Sequence, residues 1–187
     1  MLGLLLIVAC DTPEPAPEAL VPAPAIALID QGGDPFGDAQ LLGRPWVANV
    51  IFTRCPTICP ASTGRMIGLE ARTRDLGDAV AFLSFSVDPA YDTPEVLTAY
   101  AASLGVDTSR WHFLTGDEAV VRATVSDGLK IAVQAGGGDP AETLHGTHFV
   151  LGASGFLHGF YDTEDGERLA DLERDLRALV AADRVAD

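Results

Sequence analysis

The chain has 187 residues, and 27 acidic side chains against 12 basic ones leave a formal charge of −15. That balance argues against a nucleic-acid partner and against a polybasic membrane-binding face, since phosphate surfaces attract the opposite sign. The acidity reads first as a solvated surface, and three cysteines and four histidines remain as candidates for soft-ligand or redox chemistry.

Residues 1–9 read as a lipoprotein-type signal segment. The apolar run Leu4–Ala9 is closed by Cys10, the pattern of a signal cleaved before a cysteine that then carries lipid on its thiol. The run is shorter than the ~20 residues that span a bilayer as a helix. No Lys or Arg precedes it, so a lost upstream basic segment, or a truncated membrane-spanning anchor, stays open beside lipidation of Cys10. Asp11 resembles the signal that retains such proteins in the inner membrane of a Gram-negative bacterium, which places the domain at the periplasmic face. Residues 10–25 carry five prolines and three acids between Asp11 and Pro24, with almost nothing to bury, and read as an extended tether. Residues 26–187, roughly 160, suffice for one globular domain.

Inside that domain, Trp46–Phe52 is mostly apolar rather than alternating, as expected of a central strand buried on both faces. Pro60 lacks an N–H and suits the first position of a helix from about Pro60 to Arg74, with Met66, Leu69, Thr73 and Leu76 on one side. Ala79–Val87 is a second buried strand, ended by Asp88-Pro89. Thr93-Pro94-Glu95 opens a helix that Gly105 stops. Trp111–Leu114 is a short strand, and Asp117 turns into a helix over 118–125. Thr147–Leu151 and Phe156–Phe160 form a hairpin around residues 152–155, and Leu169, Leu172, Leu176 and Leu179 lie at helical spacing in a last helix over 167–181. This order predicts an α/β thioredoxin-like fold, a central mixed β-sheet flanked by helices.

Cys55 and Cys59 stand at the strand–helix junction in Arg54-Cys55-Pro56-Thr57-Ile58-Cys59-Pro60. The C-x3-C spacing permits a disulfide across one turn or two thiolates on one metal. A helix end favours thiolate over thiol, and Cys59, just ahead of Pro60, stands near the N-cap position. Copper(I) suits such a pair because it is soft, and one imidazole would complete a trigonal site. His145, before the penultimate strand, is the leading third ligand. His148 lies inside that strand, on the face opposite Phe149 and Leu151; His112 reads as a half-buried structural side chain. His158 shares strand parity with Phe156 and Phe160 and reads as packed or hydrogen-bonded.

With these residues the chain resembles the SCO/SenC family of copper-binding, thioredoxin-like proteins that assist cytochrome c oxidase assembly. The resemblance rests on Phe52-Thr-Arg-Cys55-Pro-Thr-Ile-Cys59-Pro60, Phe85-Ser-Val-Asp88-Pro89, Asp92-Thr-Pro-Glu-Val-Leu-Thr-Ala-Tyr100, Trp111-His-Phe-Leu-Thr-Gly116 and His145-Gly-Thr-His-Phe-Val-Leu151, in that order. It implies copper, Cu+ or Cu2+, on Cys55, Cys59 and His145. It also implies a membrane-tethered metallochaperone that delivers copper to the dinuclear copper site of cytochrome c oxidase subunit II. Implied partners are that subunit or another copper acceptor, and an upstream periplasmic copper donor or thiol reductant. The chain departs from the family at Gly146, where Ser or Thr is common, and at the hairpin turn, where an acidic residue is common. Asp88 and Asp92 match family positions, with a structural reading: a strand exit and a helix approach.

The alternative function is a thiol–disulfide oxidoreductase in which Cys55 and Cys59 are the redox pair and reduce the acceptor's cysteines before metal insertion. The wide cysteine spacing, and the absence of a proline immediately before the penultimate strand, speak against it. A peroxide-reducing enzyme is disfavoured by Pro45 at the wrong offset, and an inert Cys55–Cys59 disulfide would leave His145 without a purpose.

Overall fold

The computed structural model describes residues 15–55, 58–134, 144–145 and 147–186. Its strands and helices, in chain order, are β1 (Val21–Pro22), β2 (Ala27–Ile29), β3 (Pro35–Gly37), β4 (Trp46–Ile51), α1 (Ile58–Arg72), β5 (Ala81–Ser86), α2 (Pro94–Leu104), β6 (Trp111–Leu114), α3 (Glu118–Arg122), β7 (Val133–Gln134), β8 (Leu144–His145), β9 (His148–Ala153), β10 (Phe156–Asp162) and α4 (Gly166–Ala186). Six strands form one sheet in the order β1-β10-β9-β4-β5-β6. β4, β5 and β6 run parallel, while β9 is antiparallel to β4, so the sheet is mixed. The fold is thioredoxin-like, as expected.

Every residue of β4 and of β5 is buried, which explains their lack of alternation: both faces are covered. Val47, Ile51 and Phe82 point to one face with Met66 and Leu69 of α1, Leu97 of α2, and Leu172 and Leu176 of α4. Trp46, Ala48, Val50 and Leu83 point to the other, against Leu28, Phe36 and Val121 from the β2–β3 hairpin and α3. Asn49 and Ser84, opposite each other in the parallel pair, are a buried polar pair: Ser84 donates to Asn49 Oδ1 at 2.7 Å and accepts from the Trp111 indole at 2.9 Å.

The punctuation of α2 is as read. Thr93 caps it, accepting from the Val96 N–H, Pro94 occupies the first turn, and Gly105 ends it at φ +66°. Other expectations shift. α1 is already helical at Ile58, so Cys59 lies within its first turn and Pro60 is its third residue, where its missing N–H still falls among those without an intrahelical acceptor. The helix after Asp117 stops at Arg122 and continues as a wide π-type turn, Ala123–Gly128, with the Leu129 N–H bonded to the Thr124 carbonyl. In the hairpin, β9 continues through Ala153, leaving a two-residue turn at Ser154 (φ +48°) and Gly155 (φ +80°).

The β2–β3 hairpin was not read from the sequence. Nor was the placement of part of the 10–25 stretch: residues 10–14 lie outside the described residues, but from Pro17 onward the chain makes contacts along the sheet edge. Leu20 N donates to Leu157 O, and Val21 pairs with Leu157 in β1–β10. A bulge between Leu157 and Gly159 also breaks the expected parity of His158 with Phe160; its Nδ1 lies 2.9 Å from the Pro17 carbonyl oxygen.

Candidate metal and thiol site

The parallel pairing of β4 with β5 brings their C-terminal ends to one edge of the sheet, and the loops that follow meet there. The Val87 N–H still bonds the Ile51 carbonyl at 3.0 Å. Beyond buried Phe52 the chain turns at once: the Cys55 N–H donates to the Phe52 carbonyl at 3.1 Å, closing a turn with Thr53 and Arg54 at its centre. Cys55 is half-buried.

Both central residues of that turn are held by carboxylates from the loop between β5 and α2. Thr53 donates through its N–H to Asp92 Oδ2 at 3.1 Å and through its hydroxyl to Asp92 Oδ1. Arg54 donates through Nε and Nη2 to Asp88 Oδ2, and its guanidinium lies 4.1 Å from the centre of the Tyr91 ring. The hydrogen bond to Asp88 raises the Arg54 pKa above its ordinary value. The loop is itself closed by the Tyr91 and Asp92 N–H groups on the Asp88 carbonyl, and Ser86 Oγ donates to Asp92 Oδ2 while accepting from the Asp88 N–H.

Cys59 and His145 have described backbone but their side chains lie outside the described residues; Cys10 lies outside them altogether. His145 stands opposite Val133 in β8–β7. Val133 shares a small pocket with Val87 and Pro89, the two neighbours of Asp88, so the strand pair carrying His145 approaches the same loop that grips Arg54. Among the described residues no three His, Cys, Asp or Glu side chains form a metal-sized group, and of the expected trio only Cys55 has a described side chain.

The remaining histidines are placed elsewhere. His148 opens β9, exposed, beside Phe160 and Lys130. His112 is half-buried with its ring 4.7 Å from that of Phe36, and burial pushes its pKa down. The carboxylate grip on Thr53 and Arg54 was missed as a feature of the site. Its signal was present in Ser86-Val-Asp88-Pro89 and Asp92-Thr93, which read locally as a strand exit and a helix approach.

A thioredoxin-like domain with a cysteine pair bridging a central strand and the following helix defines the class. Within that class, the SCO1/SenC family model matches residues 19–181, and the chain belongs to this family. A SCO1/SenC family lipoprotein from Bacillus anthracis is 32% identical, with a TM-score of 0.77 over 85% of this chain and 95% of its own. BsSco, a member of the Sco family of cytochrome c oxidase assembly proteins in which a disulfide switch has been identified, is 27% identical, with a TM-score of 0.78 over 89% and 98%. Copper-bound ScoI of Bradyrhizobium japonicum is 25% identical, with a TM-score of 0.67 over 81% and 98%.

Proposed function

We propose that this protein is a membrane-tethered copper metallochaperone. Family membership supports a general role in metal and thiol redox handling. The finer reading is that copper binds Cys55, Cys59 and His145 and passes by ligand exchange to the dinuclear copper site of cytochrome c oxidase subunit II. The reading is supported by the placement of Cys55 in the turn after β4, Cys59 in the first turn of α1, and the β7–β8 pair beside Val87 and Pro89, which flank the Asp88 that holds Arg54. Two thiolates supply soft ligands and an imidazole accommodates either copper oxidation state. Copper in the related ScoI of Bradyrhizobium japonicum favours the same cargo here.

Lipid on Cys10 would hold the domain at the periplasmic face of the inner membrane; the related Bacillus anthracis protein is a lipoprotein. No helix among the described residues is long and apolar enough to cross a membrane.

A second reading makes Cys55 and Cys59 a thiol–disulfide pair that reduces the acceptor's cysteines. The disulfide switch of BsSco favours it. Mixing copper-loaded full chain with an apo subunit II copper domain, then measuring metal and thiol state on both, separates the readings. Copper movement, abolished by Cys55→Ser or Cys59→Ser and impaired by His145→Ala, is the expected result. Donor thiol oxidation without copper movement would leave the reductase, and neither change would defeat both.

A further inference from the structure

Asp92 is 0% exposed, and a carboxylate removed from water costs several kcal/mol unless hydrogen bonds replace the lost solvation. Thr53 N–H, Thr53 Oγ1 and Ser86 Oγ supply those bonds. Two of the three come from Thr53, which stands 39 residues upstream of Asp92 and two before Cys55. Asp92 is not the cap of α2, since Thr93 takes that position. Its carboxylate is instead committed to the turn that the Cys55 N–H closes on the Phe52 carbonyl.

Resting on the copper and thiol reading above, we propose that Asp92 is a positioning residue for the site. By fixing Thr53 it fixes the turn geometry, and with it the direction in which Cys55 presents its sulfur. The buried carboxylate supplies two acceptors at a fixed place on the wall of β5 and its exit, while Cys55 hangs from the free end of β4. Without Asp92 the Thr53 N–H and hydroxyl lose their acceptor, the turn relaxes, and Cys55 samples directions that neither a metal nor Cys59 can use. Groups that orient a metal's ligands typically change affinity by about 10–100-fold when removed.

The test uses the reduced full chain in detergent, with Asp92→Ala, Asp92→Asn, Thr53→Val and, as a control, Tyr161→Phe, which removes a 2.7 Å hydrogen bond to Asp175 on another part of the sheet. Two readouts are taken: the alkylation rate of Cys55 against pH in a Cys59→Ser background, and copper(II) affinity with the native cysteines. Asp92→Ala should change the Cys55 rate by about three-fold or more and weaken copper about ten-fold. Asp92→Asn should recover most of both, because its Oδ1 still accepts from Thr53, and Tyr161→Phe should leave both unchanged. A wild-type alkylation profile in Asp92→Ala, or an equal change in Tyr161→Phe, overturns the proposal. Should Asp92→Ala fail to fold, Thr53→Val, which removes the hydroxyl bond to Asp92, decides: an altered Cys55 alkylation profile with weakened copper(II) affinity supports the role of Asp92, and wild-type values overturn it. If the parent chain takes no copper, the metallochaperone reading fails by itself, and the alkylation profiles still decide the role of Asp92.

Discussion

Trp46 and Gly152 lie opposite each other in the antiparallel pair of β4 and β9, with the indole over the glycine. A Cβ on Gly152 would overlap Cζ2 and Cε2 of Trp46 and lie 2.6 Å from its Cη2. Trp46 is 3% exposed, so the ring has little room to retreat. The glycine is therefore required by the tryptophan, and Gly152→Ala should destabilise the domain by about 1–3 kcal/mol through overpacking. Urea unfolding checks this, and the same substitution in a Trp46→Leu background should cost less.

Glu70 and Arg110 form an ion pair at 3.0 Å with side chains only 8% and 5% exposed. Arg110 also donates to the Thr73 carbonyl, which ties the end of α1 to the start of β6. Glu70→Ala leaves the guanidinium buried without its carboxylate and should cost about 3–5 kcal/mol. Replacing both residues, as Glu70→Leu with Arg110→Met, should cost less than either single alanine substitution in the same unfolding assay.

His112 gives the fold a pH dependence. Burial, helped by Arg44 and opposed by Asp30, depresses its pKa in the folded state. Nδ1 has no hydrogen-bond partner among the described residues. The unfolded chain therefore takes up a proton first as pH falls, so this contribution is complete above about pH 6.5 and lost below it, toward the folded-state pKa. The stability difference between wild type and His112→Gln should shrink as pH falls from 7.5 to 5.5. A difference independent of pH would contradict this.

Oxidation should exclude copper. A Cys55–Cys59 disulfide would consume both thiolates and leave His145 without soft partners. Gel filtration followed by metal analysis should find copper with the reduced chain alone. Equal retention by the oxidised chain would place the principal site elsewhere.

Mass spectrometry of protein extracted from membranes should find a mature N-terminus at Cys10 bearing lipid, with Pro17–Pro22 docked on the domain rather than extending the tether. An intact segment before Cys10 would favour a membrane-spanning anchor. Protease cleavage should be slow from about Leu20, where backbone hydrogen bonds to Leu157 and Gly155 begin to hold the chain.

The elements that neighbours in sequence can define were legible without coordinates. The continuous apolar runs of β4 and β5 announced burial on both faces, Thr93-Pro94 and Gly105 fixed both ends of α2, and the cysteine pair stood between a buried strand and a helix. The family resemblance followed from short blocks kept in order. What depended on distant segments was hidden. Asp92 reads locally as a residue before a helix; only the adjacency of β4 and β5 aims its carboxylate at Thr53. His158 reads as a face-sharing residue until the bulge turns it toward Pro17, and Val21 reads as tether until β10 offers it an edge. Propensity, capping and apolar periodicity act within a few residues and are written in the chain. The partner of a buried polar group is decided by which strands the sheet sets side by side, and that choice belongs to the packed structure.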